Sequence, residues 1–296
     1  MYKWPAIIGI IFALSSASCE KDIHINLHDA SQELVVDGSI ENRKPPTIVL
    51  TNSINFFSSI DTNILKTLFV HGAMVSVTGN GYTVTLSEHE MDTLNGNKYY
   101  YYTTDSSDAG LMRGKIGQTY TLHIETDGKS YNAETTIPAG GFHLDSLWWV
   151  WGVKDNKPDT VKAYLMARIT DPSVPGNYAR YFTKRNREPF YPGLNSVADD
   201  EITNGTIFDF QIDRGVSKND QIDFNHYGYF LPGDTVTLKF CNIDKATYDF
   251  WHTWEYAWSN ESNPFSTPTT VLGNVKGALG YWGGYAAQYK TVIIPK

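Results

Sequence analysis

The sequence contains few cysteines and few charged residues. Cys19 and Cys241 are the two cysteines among 296 residues, and charged residues make up 19 %. If Cys19 has another use, the remaining thiol cannot form an internal disulfide, so we expect no disulfide to stabilise the fold. Cys241 stands in an apolar stretch, and we predict that it is a small buried hydrophobic residue rather than a nucleophile.

Long apolar runs and basic clusters are also lacking. The apolar run at residues 4–14 has eleven residues, no later stretch approaches that length, and a membrane-spanning helix needs about 20. The 32 acidic residues outnumber the 24 basic ones, which gives a formal net charge of −8. Nucleic acids attract clustered lysine and arginine, so we do not expect them as partners.

Sequence motifs of catalysis are missing as well. The eight histidines are scattered, and no zinc-peptidase helix, nucleophile elbow, phosphate loop or dinucleotide fingerprint is present. Carboxylate pairs that meet only in three dimensions stay possible. From the motifs we predict a protein that is not an enzyme and uses no metal or cofactor.

The N-terminus indicates export. Lys3 precedes the short apolar run, small residues fill positions 15–18, and Cys19 follows. This order is typical of a signal peptide, which we place at residues 1–18. The Ser-Ala-Ser-Cys ending resembles a bacterial lipobox, although Ser16 stands where leucine is commonest, and it implies that Cys19 carries acyl chains such as palmitate. The alternative is an ordinary cleaved signal followed by an incidental cysteine.

Residues 19–32 are interpreted as a tether that follows the lipid. Glu20, Lys21 and Asp22 resemble a short charged tag found on surface lipoproteins of Gram-negative Bacteroidota, truncated by Ile23. We therefore predict an outer-membrane protein that faces the cell exterior. The alternative is a solvated tether of the kind that any lipoprotein could have.

Short runs of β-branched residues indicate a mostly β protein. Gly79-Asn80-Gly81 and Asp127-Gly128 predict hairpin turns. We predict an immunoglobulin-like β-sandwich at residues 33–139, then a second β-rich domain at 140–296 with one or two short helices. The Pro- and Gly-containing break at 138–141 separates them, and residues 185–205 are predicted to be an irregular loop.

Two groups of aromatic residues are the candidate binding residues. A helix near residues 244–259, capped by Asp244, would carry Tyr248, Trp251, Trp254 and Trp258 in one stripe. On a preceding strand, Trp149 and Trp151 should share one face and Trp148 should lie on the other. We select Trp148, Trp149, Trp151 and Trp258 as candidate binding residues. Burial of both groups in cores is the alternative, and the ligand stays unknown.

Several strand and turn motifs in a fixed order resemble the Bacteroidota lipoproteins catalogued as domain of unknown function 4249. The similar segments are residues 34–40, 45–51, 72–77, 117–122, 133–138, 169–178, 233–236 and 274–282. Members of that family are usually encoded beside TonB-dependent outer-membrane receptors, and the family supplies no catalytic residues. The resemblance implies an accessory protein of such a transporter, working as a lid or substrate-capture subunit. The alternative is a free-standing surface glycan-binding or adhesin module.

Overall fold

The structure is a computed structural model that describes residues 32–54, 68–93, 96–105, 112–154, 157–217, 221–224, 226–261, 266–267 and 269–296. In this part of the chain lie fourteen strands and one helix, in the order β1 (Leu34–Glu41), β2 (Thr47–Asn52), β3 (Met74–Gly79), β4 (Tyr82–Asp92), β5 (Lys98–Thr103), β6 (Thr119–Thr126), β7 (Lys129–Thr136), β8 (His143–Lys154), β9 (Lys157–Thr170), β10 (Tyr178–Arg185), β11 (Tyr191–Asp199), β12 (Ile207–Ile212), β13 (Thr235–Ile243), α1 (Lys245–Asn260) and β14 (Leu279–Ile293). The prediction of a mostly β protein is confirmed.

Both predicted hairpin turns are present. Asn80 and Gly81 have φ values of 54° and 84° between β3 and β4, and Asp127 and Gly128 have 51° and 70° between β6 and β7. Two consecutive residues with positive φ define the type I′ turn, whose twist matches that of the flanking strands. Asparagine, aspartate and glycine tolerate this conformation, so the local sequence is sufficient to specify these two hairpins.

The strands form two sheets. The larger sheet has eleven strands in the order β11-β10-β13-β14-β1-β2-β5-β4-β3-β6-β7, and the smaller has the order β12-β9-β8. Neighbouring strands are antiparallel except β1 and β14, which run parallel, with Asp37 opposite Tyr281 and Glu41 opposite Tyr285. The eleven-stranded sheet therefore combines strands from both sides of residues 138–141.

Three clusters of buried side chains pack the two sheets and helix α1 together. The first lies among β1 to β7 and includes Trp282 of β14, which is fully buried. The second packs β8 and β9 against one face of β10 and β13, with Leu165 and Leu238 among its buried members. The third lies between helix α1 and the opposite face of the large sheet. Strand β14 thus contributes side chains to the first and third clusters.

The helix prediction is confirmed, with α1 beginning one residue after its cap. The Asp244 carboxylate accepts a hydrogen bond from the Thr247 amide at 2.9 Å, which satisfies one of the free N–H groups of the first turn. The other oxygen of Asp244 accepts from the Thr136 amide at 2.9 Å, so the same cap fixes the helix to the end of β7. No helix in the described ranges is long and apolar enough to cross a membrane.

The prediction of an irregular loop at residues 185–205 is wrong, because β11 occupies much of that segment and pairs with β10. Pro192 and Gly193 suggested a loop, since both are rare in central strands. However, β11 is the edge of the sheet, where a missing N–H group is tolerated. A Cβ atom on Gly193 would come within 2.0 Å of the Tyr181 hydroxyl oxygen, so glycine is needed there.

Candidate functional site

A cleft opens beside helix α1, on the face of the large sheet that the helix partly covers. Its volume is about 430 Å³, within the range of small-molecule sites. Alternate residues of four adjacent strands face it, since side chains alternate between the two sides of a strand. The lining residues are Ser39, Glu41, Arg180, Phe182, Tyr191, Pro192, Val216, Ser217, Lys239, Trp251, Trp254, Tyr281 and Tyr285.

Arg180 of β10 is the central cation of the cleft and is only 3 % exposed. Its guanidinium carbon lies 3.4 Å from the centre of the Trp251 ring and 4.8 Å from that of Phe182. Its Nε donates to the Ser196 hydroxyl at 3.1 Å, and its Nη1 donates to the Tyr285 hydroxyl at 3.3 Å. Stacking and hydrogen bonds thus fix the plane of the guanidinium group.

A second set of charged and polar side chains surrounds Glu41 of β1. Its carboxylate forms ion pairs with Lys239 at 2.5 Å and with Lys44 at 2.8 Å, and it accepts a hydrogen bond from the Tyr289 hydroxyl. Burial would raise the pKa of the Glu41 carboxyl, but the charge and hydrogen bond of Lys239, together with Lys44 and Tyr289, lower it overall. Glu41 is therefore ionised at neutral pH and balances the charge of Lys239.

Asp37 lies two residues before Ser39 on the same face of β1. Its side chain is exposed, and it lies near the Tyr281 hydroxyl and the charge of Arg180. Asp37 does not form an ion pair with Arg180, so its negative charge acts on the guanidinium only through a longer distance.

Helix α1 supplies the aromatic wall. The Trp251 indole N–H donates to the Tyr285 hydroxyl at 3.0 Å, which is the same oxygen that accepts from Arg180. The Phe250 ring stacks on Tyr281 with centroids 4.6 Å apart. Trp254, one turn after Trp251, also lines the cleft. The sequence left open whether the aromatic stripe of α1 packs on a sheet or lines a ligand surface. Trp251 and Trp254 do both, since they pack on the third cluster and also line the cleft.

The predicted strand tryptophans lie elsewhere, on β8. Trp149 and Trp151 pack side by side against the second cluster, with ring centroids 4.7 Å apart and both rings partly buried. Trp148 is outside that cluster, and the centre of its ring lies 5.8 Å from the guanidinium carbon of Arg168. Arg168 forms a bidentate ion pair with Asp209. None of these tryptophans is among the described residues that line the cleft.

Trp258, the last of the predicted tryptophans, is partly buried near the end of α1 and also lies outside the cleft lining. A binding role for Trp148, Trp149, Trp151 and Trp258 stays a prediction. Cys19, Glu20, Lys21 and Asp22 lie outside the described residues.

Arg180, Lys239 and Glu41 were missed by the sequence analysis. Arg180 and Lys239 are cations flanked by apolar residues of their strands, as in Tyr178-Ala179-Arg180-Tyr181-Phe182 and Leu238-Lys239-Phe240, whereas Glu41 is the last residue of β1 and carries no such signal. Buried charges are uncommon unless they are paired or functional, so this pattern is a usable signal. A second signal is the spacing of Tyr281, Tyr285 and Tyr289, which recur on one face of β14.

The prediction that Cys241 is a buried hydrophobic residue is confirmed. The side chain is fully buried in the third cluster, and burial raises the pKa of its thiol to about 12. A thiol with so high a pKa is protonated at neutral pH and is a poor nucleophile. Within the described residues, no group of three or more His, Cys, Asp or Glu side chains is placed to hold a metal ion.

The chain matches a known family. The family model described as Domain of unknown function (DUF4249) matches residues 20–291, which is nearly the whole chain and begins directly after Cys19. No curated protein and no solved structure matches the chain.

Proposed function

The chain belongs to the family described as Domain of unknown function (DUF4249), and from this premise we propose that it is a lipid-anchored accessory protein of a TonB-dependent outer-membrane transporter. In this proposal Cys19 carries the anchor and the body captures a ligand for the transporter without transforming it. The cleft beside α1 is the observation that carries the proposal. It combines aromatic walls with fixed charges, as ligand sites do.

The chemistry of the cleft favours binding over catalysis. Burial raises the pKa of Tyr281 well above its usual value, so its hydroxyl stays protonated at neutral pH. Glu41 is held between two lysines and a tyrosine, which leaves it poorly suited to accept a proton. Arg180 cannot act as a base at all, because guanidinium does not lose its proton in proteins. These groups can orient a ligand and hold its charge.

The smaller sheet supplies a surface for docking to the transporter. Its outer face carries Trp148 and Val150 of β8, and Ile207 of β12, with Val150 and Ile207 exposed. Exposed apolar side chains around a partly buried tryptophan are typical of protein interfaces. Trp149 and Trp151 point to the second cluster, so Trp148 is the tryptophan that can reach a partner.

Affinity purification tests the proposal. The full chain with a C-terminal tag, extracted gently in detergent at native expression level, should recover a barrel-sized protein in near-equal amount. The double variant Trp148→Ala with Val150→Ser should lower that recovery several-fold, because interface tryptophans contribute much of the binding energy. The matched control is Tyr82→Ala, which removes an exposed aromatic residue from β4 of the large sheet. Recovery of the chain alone would refute the accessory role and favour the glycan-binding or adhesin alternative.

A further inference from the structure

We propose that the cleft beside α1 binds a small ligand carrying a carboxylate, with the carboxylate on Arg180 and an apolar or aromatic body against Trp251 and Trp254. This inference rests on the proposed capture function and names the class of ligand for it. Its test uses binding in solution and does not involve the transporter, so the two can fail separately.

The first argument is that no carboxylate binds Arg180 directly. A buried charge is expensive unless it is paired. The buried Glu255 carboxylate reaches Arg180 only through the Ser196 hydroxyl, which accepts from Nε and donates to Glu255. The other contacts of the guanidinium are the Tyr285 hydroxyl and aromatic rings. A ligand carboxylate would supply a direct partner.

The second argument is which of the charges at the cleft are already paired. Lys239 forms an ion pair with Glu41, and Glu255 accepts hydrogen bonds from the amide and the hydroxyl of Ser196. Arg180 is therefore the cation of the lining that has no direct ion pair with a described residue.

The third argument is the geometry of the guanidinium. Nε and Nη1 each donate to a protein oxygen, while Nη2 makes no hydrogen bond to a described residue. The rings of Trp251 and Phe182 hold the group in place, so its remaining donors are pre-oriented before a ligand arrives. Arginine binds carboxylates through such a fixed planar fork more specifically than lysine does.

The aromatic walls and the volume of the cleft limit the size and chemistry of the rest of the ligand. Trp251, Trp254 and Tyr281 present aromatic surface beside the arginine, and aromatic surface favours an apolar or ring-bearing body. About 430 Å³ accommodates a molecule of the size of one to two amino-acid residues. N-acetylphenylalanine has this size and chemistry, and its amide is a neutral probe of the same shape.

Isothermal titration calorimetry of the full chain purified in detergent tests the inference. N-acetylphenylalanine should bind about tenfold or more tightly than N-acetylphenylalaninamide, because a hydrogen bond to a charged group contributes at least this factor. Arg180→Met should remove the preference for the acid. Asp37→Asn should not weaken acid binding, because it can only reduce the negative charge near Arg180.

Arg168→Met is the matched control, since Arg168 also lies over a tryptophan but is paired with Asp209 and sits on the smaller sheet. It should leave binding of the acid unchanged. The comparison of acid and amide on the unaltered chain keeps the test valid should the Arg180 variant misfold, and Asp37→Asn replaces an exposed side chain. Equal binding of acid and amide, no binding of either at millimolar concentration, or loss of acid binding in Asp37→Asn would overturn the proposal.

Discussion

Replacing Trp282 with alanine should lower the free energy of unfolding by about 3–5 kcal/mol, the usual cost of truncating a buried tryptophan. Trp282 comes from β14, near the end of the chain, but fills the first cluster and is fully buried. It packs so closely on β1 that a Cβ atom on Gly38 would lie 2.8 Å from its ring. Its indole N–H donates to the Tyr120 carbonyl at 3.0 Å. Truncation leaves both a cavity and an unsatisfied acceptor, so we expect the upper part of the range.

Urea denaturation followed by circular dichroism measures this change, with Trp148→Ala as the control. Trp148 is only partly buried and lies outside the clusters, so its truncation should cost about 1 kcal/mol or less. Trp282→Phe keeps most of the side-chain volume, so its loss of unfolding free energy should lie between those of Trp282→Ala and Trp148→Ala. If Trp282→Ala lowers the free energy of unfolding no more than Trp148→Ala does, the conclusion that β14 completes the core of strands β1 to β7 is refuted.

Two further changes test the charged cluster and the anchor. Glu41 has a lowered pKa in the folded state, so its ion pairs stabilise the fold above its unfolded pKa, near 4.5, and this contribution is lost as the pH falls through the folded value. Lys239→Met should therefore cost about 2–3 kcal/mol at pH 7, less than for a fully isolated pair because Lys44 remains, and the difference from the parent should shrink below pH 4.5 in denaturation curves. An equal difference at both pH values would contradict it. Cys19→Ala should release the protein from the membrane fraction or stall its processing, because several acyl chains hold a protein firmly. Unchanged fractionation and mass would show that Cys19 carries no lipid.

Local sequence was sufficient where the structure depends on neighbouring residues. The hairpin at Asn80 and Gly81 follows from the backbone preferences of two residues. Helix α1 follows from its Asp244 cap and its aromatic spacing. In both cases the interactions that decide the conformation lie within a few positions of each other, so one sequence reveals them.

Strand β14 was not predicted, because its glycines are explained by tertiary contacts and not by the local sequence. Gly280, Gly283 and Gly284 reduce strand propensity and suggest a loop. In the fold, a Cβ atom on Gly280 would lie 1.9 Å from the Val36 carbonyl oxygen, and one on Gly283 would lie 2.9 Å from Thr247 of α1. These glycines let a neighbouring strand and the helix approach the β14 backbone. That requirement becomes visible only when distant segments meet.

The cleft was hidden for a related reason. Glu41 and Tyr285 become neighbours through the parallel pairing of β1 with β14, which joins segments near opposite ends of the chain. Arg180 reaches the same face through β13, which lies between β10 and β14. No periodicity within one segment indicates such a pairing. What the sequence does show is a cation in an apolar strand, and that signal identifies the residue without identifying its surroundings.

The bonding of the indole N–H separates the two uses of tryptophan in this chain. Trp282 donates to a backbone carbonyl inside a closed cluster, so its polar atom serves the fold. Trp251 donates to the Tyr285 hydroxyl, which also accepts from Arg180, so its polar atom belongs to the charged wall of the cleft. A high aromatic content therefore does not identify a binding face by itself. The partner of each indole shows whether the residue completes a core or positions a charge, and in this protein that criterion points to α1 and Arg180.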